Sequence, residues 1–186
     1  TVHFSPSDLP GNPSSLFQTA TSSETERRFL THELVVEALA LLREKLSEEC
    51  YYHSLEHTKS VVVNAVRCAA LDGVSTRDLD LIAIDAAWHD TGFIVQRHAN
   101  EPIGADMALS AMRRHGGYEE RELADVATAI LDTQVHFDPE LGCMAQTAHG
   151  RLSPWLLDGD LSSFGHSGFL DVSLLLLREL TGVEVT

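Results

Sequence analysis

The stretch Ser75-Thr76-Arg77-Asp78-Leu79-Asp80-Leu81-Ile82-Ala83-Ile84-Asp85-Ala86-Ala87-Trp88-His89-Asp90 decides how this chain is read. Ser75 with Asp78 three residues later makes a helix start, and Leu79, Ile82, Ala83 and Ala86 then recur on one helical face. Continuing that face by four residues reaches Asp90, so the helix delivers a carboxylate, with His89 beside it, toward the core side. Gly92 follows as a stop signal. A His-Asp pair at a helix end ordinarily faces solvent. Turned inward, it needs a partner.

The flanking segments keep the helical period. Residues 1–22 hold Pro6, Pro10, Gly11 and Pro13 among serines and predict an irregular arm, with residues 23–182 forming one domain. Ser23 with Glu26 opens a first helix, in which Leu30, Leu34, Ala38, Leu41, Leu42 and Leu46 lead to about Cys50. A second runs from about Ser54 to Leu71 and stops near Gly73. After the Ser75 helix, Asn100 as N-cap with Glu101 and Pro102 starts a fourth, closed by His115-Gly116-Gly117. Residues 119–135 form a fifth, with Leu123, Val126, Ala127 and Ile130 inward. Phe137 to Leu152 contains Pro139 and two glycines without a period, and reads as a long loop. Ser153-Pro154 restarts a short helix, and residues 167–181 make the last, with Leu174-Leu175-Leu176-Leu177 as a buried segment. No strand alternation is evident. The expected fold is an all-α single-domain bundle of about six to seven helices.

A chain of 186 residues is long enough to bury a full core. Its net charge of -15 argues against binding along a nucleic-acid backbone. A small anionic substrate stays open, because a bound cation dominates its local field. Cys50, Cys68 and Cys143 are odd in number and widely spaced, so neither a disulfide framework nor a zinc-thiolate site is expected, and a reducing cytoplasm is the natural home. No stretch has the apolar length of a membrane span and no signal peptide is visible. The start at Thr1 rather than Met suggests a trimmed or processed chain, or excision from something larger. A homo-oligomer is compatible with all of this.

His53 and His57 lie four apart at the start of the second helix, on the stripe continued by Val61 and Ala65, and so point inward. An inward imidazole bonds either a backbone carbonyl or a metal. Asp160, in Leu157-Asp158-Gly159-Asp160-Leu161, adds a distant carboxylate. Two imidazoles and two carboxylates suit a divalent transition metal or magnesium.

In this set the chain resembles the HD-domain metal-dependent phosphohydrolases, most closely the small bacterial proteins described as predicted metal-dependent HD phosphohydrolases. Their Y-H-N-x-x-H start, A-W-F-H-D-like centre, N-E pair and late D-x-D-L are similar to Tyr52-His53-Ser54-Leu55-Glu56-His57, Ala87-Trp88-His89-Asp90, Asn100-Glu101 and Asp158-Gly159-Asp160-Leu161. The likeness spans roughly residues 29–180. It departs at Ser54, where Asn is usual, and lacks the extra Phe before His89.

The resemblance implies that His57, His89, Asp90 and Asp160 bind a divalent metal (Mn, Mg, Fe, Co or Ni, one ion or two), with Asp90 bridging if there are two. It implies metal-activated water attacking a small phosphorylated metabolite, foremost a nucleotide, with Asp90 and Glu101 as the catalytic carboxylates. Glu101 acts as a base or acceptor, or merely complements the helix dipole. His53 and His136, the latter in a pattern resembling I-x-x-T-x-x-H with Thr133, would hold substrate or a second metal. Lys59 and Arg97 are the nearest basic residues for the transferred phosphoryl group, or else ordinary surface charges. Asp85 can hydrogen-bond the free ring nitrogen of His89 or stand exposed, and Asp158 can support the site or be solvated. The remaining histidines match no motif. Two other functions share this pattern: a non-catalytic nucleotide-binding or regulatory domain, and a di-iron oxygenase recruiting His53, His115 and His136.

Overall fold

The helix α3, Thr76–Trp88, occupies the centre because its second half is apolar on every side except at Asp85. Every residue from Leu81 to Trp88 is buried, Asp85 included. The computed structural model describes residues 28–165 and 167–183. Around α3 lie α1 (Glu33–Lys45), α2 (Leu55–Leu71), α4 (Glu101–His115), α5 (Glu120–Asp132) and α6 (Ser153–Asp160). The last helix, α7, covers Phe169–Thr181. Short 3-10 turns at Thr91–Ile94 and Leu161–Gly165 complete an all-α bundle. α2 packs most extensively on α6 and α3, and α4 on α5. One continuous core joins α1 through α6, and the Trp88 indole donates to the Leu34 carbonyl at 3.0 Å, tying α3 to α1. Among the described residues no helix is long and apolar enough to cross a membrane.

Several expectations are corrected. The first helix is broken: residues 28–30 are helical, the chain turns at Thr31 and His32, Thr31 donates back to the Arg28 carbonyl, and His32 Nδ1 accepts from the Leu34 amide as the cap of α1. The irregular arm and the Ser23–Glu26 start lie outside the described residues. The fifth helix ends at Asp132 rather than about 135. There the Asp132 carboxylate accepts from the His149 and Gly150 amides and the Ser153 hydroxyl, holding the entry to α6.

The expected loop contains a hairpin, β1 (His136–Asp138) against β2 (Cys143–Ala145), antiparallel with His136 opposite Ala145. Its three-residue strands are too short to show alternation. The turn is closed by Asp138, whose Oδ1 accepts from the Glu140 and Leu141 amides.

The leucine run on α7 is not buried throughout: only Val172 and Glu179 of that helix are, while Leu174 and Leu177 are exposed. α7 rests outside the main core, on a small cluster of Tyr52, Val172, Leu175 and Leu176.

Candidate metal centre

Three local features bring the candidate ligands together. The Ser54 hydroxyl accepts from the His57 amide at 3.3 Å, which starts α2 at Leu55 and sets the buried His57 in its first turn. His53 therefore precedes the helix rather than riding on it. α3 ends at Trp88, and the chain passes through His89 and Asp90 into the 3-10 turn. That passage is tight: a Cβ on Gly92 would collide with the Asn100 carbonyl oxygen. α6 terminates on Asp160, and Gly159 lets it lie directly on α2. A Cβ there would sit 2.9 Å from the Ala65 amide and 3.0 Å from the Val61 carbonyl.

The result is a square of donors, buried at His57, His89 and Asp90 and partly exposed at Asp160. His57 Nε2 lies 3.1 Å from Asp160 Oδ1 and 3.5 Å from Asp90 Oδ2. His89 Nε2 lies 3.1 Å from Asp90 Oδ2 and 3.6 Å from Asp160 Oδ1. With metal–ligand bonds of about 2.1 Å, neighbouring ligands stand about 3.0 Å apart in an octahedron and about 3.4 Å in a tetrahedron. All four edges match that scale. His57, His89 and Asp90 offer three donor atoms within 4.8 Å of one another, a group that leaves out Asp160, whose nearest approach is to His57.

The protonation pattern fits a cation as well. His89 Nδ1 donates to the Ala86 carbonyl at 2.8 Å, which leaves Nε2 facing the carboxylates. His89 Nε2 and Asp90 Oδ2 approach to 3.1 Å as an ion pair, and among the described residues neither atom makes a well-aligned hydrogen bond. Buried polar atoms facing one another unbonded are costly unless a proton or cation joins them. Burial alone would lower the His89 pKa, but Asp90 and Asp160 overcome it and hold it well above the ordinary imidazole value. Burial likewise opposes ionisation of Asp90 and Asp160, yet the imidazoles keep the first below and the second well below the usual carboxylate range. The square carries two carboxylates and attracts positive charge.

Two supporting residues escaped the sequence reading. Gln146 Nε2 donates to Asp160 Oδ2 at 2.9 Å and to the Thr133 carbonyl at 2.8 Å, fixing the carboxylate against the end of α5. Only its place just after the hairpin could have pointed to it. Glu179, buried on α7, accepts from the Tyr52 and His53 amides and pairs with His53 Nδ1 at 2.6 Å. Nothing in the spacing links two residues 126 positions apart.

The other candidates divide. His53 stacks on Phe93, ring centroids 4.2 Å apart, beside His57 at 6.0 Å. Desolvation lowers its pKa, but Asp90 and Glu179 outweigh that and raise it. Glu101 opens α4 with Oε2 buried and without a hydrogen-bond partner, though it is not one of the three clustered donors. Lys59 pairs with Glu56 at 2.8 Å and lines a groove with Leu30 and Leu39. Arg97 donates to the Glu179 carbonyl at 2.7 Å and the Glu49 carbonyl at 3.1 Å, stapling α7 to the loop before α2. Both cations are committed elsewhere. His136 stands exposed on β1 with Nε2 3.1 Å from the Thr147 hydroxyl, and Thr133 bonds the Ile130 carbonyl. Asp158 is exposed. Asp85 is fully buried, but it does not meet His89, whose Nδ1 is taken by Ala86. Neither of its oxygens has a hydrogen-bond partner, and burial pushes its pKa well above the usual range. His115 pairs with Glu33 at 3.0 Å, away from the cluster.

No family model, no curated protein and no solved structure matches this chain.

Proposed function

We propose that this chain is a metal-dependent phosphohydrolase acting on a small phosphorylated metabolite, foremost a nucleotide. The observation that carries the reading is the square of His57, His89, Asp90 and Asp160, in which His89 Nε2 and Asp90 Oδ2 face one another without a well-aligned hydrogen bond. The ordered motifs resembling HD-domain phosphohydrolases add the reaction class. A divalent ion held there would supply water acidified from about 15.7 toward roughly 7 and a Lewis-acid contact for a phosphoryl oxygen.

The residues divide the remaining work. Asp90 and Asp160 bring negative charge, and both imidazoles present Nε2. Gln146 orients Asp160. Glu101, with Oε2 buried and unbonded, is the carboxylate assigned to take the water's proton. His53, its Nδ1 committed to Glu179, offers its other ring nitrogen to substrate oxygens. Lys59 and Arg97 are not assigned to the phosphoryl group, because each already has partners.

Those commitments also favour a second reading. In-line phosphoryl transfer draws on cations around the non-bridging oxygens, and neither basic candidate is available for that. A metal-holding domain that binds a nucleotide without turnover fits the same geometry. The oxygenase reading has least support, since His115 and His136 stay outside the cluster and His53 Nδ1 is engaged. Iron content and oxygen consumption separate it.

The test is metal analysis of purified protein, then phosphate release from nucleotides and sugar phosphates with manganese, magnesium, cobalt or nickel. Turnover that disappears in His89→Ala and Asp90→Ala supports the hydrolase. Thermal stabilisation by a nucleotide without product supports the binding domain. Metal-free protein with turnover unchanged in both variants overturns the proposal.

A further inference from the structure

The last helix shows its most apolar face to solvent. With 100° between successive residues, Val172 and Glu179 mark the inward side of α7, and both are buried. Leu170, Leu174 and Leu177 fall on the opposite side within about 60° of one another. They are exposed by 72, 39 and 46 %, and Leu180, on the edge of the same stripe, by 73 %. Their 4-then-3 spacing is that of a seam between two helices, not of a solvated surface. A contiguous apolar face of this kind on a strongly acidic protein marks an interaction surface.

We infer that this stripe is the interface through which two copies of the chain pair, α7 against α7 in antiparallel orientation about a two-fold axis near Leu174. The charges beside the stripe select the occupant and its direction. Asp171 and Arg178, seven residues apart, project from the same flank, about 90° from the leucines. In an antiparallel pair, like flanks face one another, which sets Asp171 against the partner's Arg178 and Arg178 against the partner's Asp171. In a parallel pair the charged flank would meet the other flank, which carries Ser173 and Leu180 instead. The same two-fold sets Leu170 against the partner's Leu177 and Leu174 against itself, closing the seam in an isologous contact.

Arg178 stacks over Tyr51 at 3.9 Å. The pairing also fits the attachment of α7 outside the main core, which among the described residues runs through the Tyr52 cluster, the 3-10 turn at Leu161–Gly165 and the contacts of Glu179, Arg97 and Arg178. This inference is independent of any bound metal and of any turnover.

Sedimentation equilibrium of the full chain over a hundredfold concentration range tests it. The expected species has twice the 20.4 kDa chain mass. Leu174→Glu should return it to the single mass with an unchanged circular dichroism spectrum. Asp171→Arg should weaken association about tenfold, and adding Arg178→Asp should restore it. A wild type that stays at the single mass throughout overturns the inference. So does a dimer indifferent to Leu174→Glu, which would place the contact elsewhere. A wild-type monomer whose melting temperature falls on Leu174→Glu also overturns it, pointing to residues 1–27 of the same chain as the cover.

Discussion

Replacing Glu179 isolates the contact that joins the last helix to the entrance of α2. Its carboxylate is almost wholly buried and serves three donors: the Tyr52 amide at 2.8 Å, the His53 amide at 3.1 Å and His53 Nδ1 at 2.6 Å. Glu179→Ala strands all three. A buried donor left without a partner costs roughly 1–3 kcal/mol. The His53 ring is partly exposed and water can replace its partner, so the two amides dominate, for a loss of about 2–4 kcal/mol. Glu179→Gln keeps the volume and one acceptor oxygen and should lose about half as much.

The pH dependence carries a sign. Burial would raise the Glu179 pKa, but His53 outweighs it and lowers it, so its contribution is present above the ordinary value of 4.5 and fades as pH falls through the folded value. The His53 pKa is raised, so its contribution is full below the ordinary 6.5 and fades as pH rises through the folded value. The gap between wild type and Glu179→Gln is therefore widest between about pH 4.5 and 6.5 and narrows on both sides. Urea unfolding followed by far-ultraviolet circular dichroism reads this as a change of midpoint at constant slope. A loss below about 0.5 kcal/mol for Ala, or a gap that does not vary with pH, refutes the reasoning.

Three further perturbations follow from buried groups. Asp85 binds its proton more tightly folded than unfolded, so its own contribution to stability is full below pH 3.8 and is lost as pH rises above it. Relative to Asp85→Asn the wild type should lose up to about 1.4 kcal/mol per pH unit, and parallel stability curves from pH 4 to 7 would contradict this. Gly159→Ala forces a Cβ to 2.8 Å from Ala65 Cβ and should cost about 1–3 kcal/mol, partly recovered by Ala65→Gly. An unshifted melting temperature would show that α6 does not need that close approach. Gln146→Ala removes the donor to Asp160 Oδ2 and should weaken metal binding about 10–100-fold with little change in melting temperature. Unchanged affinity by isothermal titration calorimetry would remove Gln146 from the site.

The bundle was legible because the helices announce their own period and starts. The caps at Ser54 and Ser75 and the proline in the first turn of α6 lie where residue chemistry puts them. His57 and Asp90 were legible because the helical period points toward the core at their positions, and His89 came with Asp90 as its neighbour, although the helix itself ends at Trp88. Asp160 was legible only through the late D-x-D-L likeness, and what brings it to His57 is a tertiary fact, the close seat of Gly159 on α2. The hairpin was illegible by alternation, yet Asp138-Pro139 and Gly142 carry turn chemistry that marks it. Gln146 and Glu179 were out of reach, because each acts on a residue that only folding brings near. The reading of Leu174 to Leu177 as buried failed for a related reason. Composition tells that a leucine-rich face needs a partner, not whether the partner is its own core.

The most direct measurement is calorimetric titration of manganese into metal-free protein, run in two buffers of different ionisation enthalpy. His89 must lose its proton for Nε2 to become a ligand, so binding should release protons and tighten as pH rises toward the elevated His89 pKa. One or two ions per chain with proton release, abolished in a folded Asp90→Ala variant, is the predicted result. Undetectable binding by the wild type, or equal binding by Asp90→Ala, would contradict the assignment of this site to a metal.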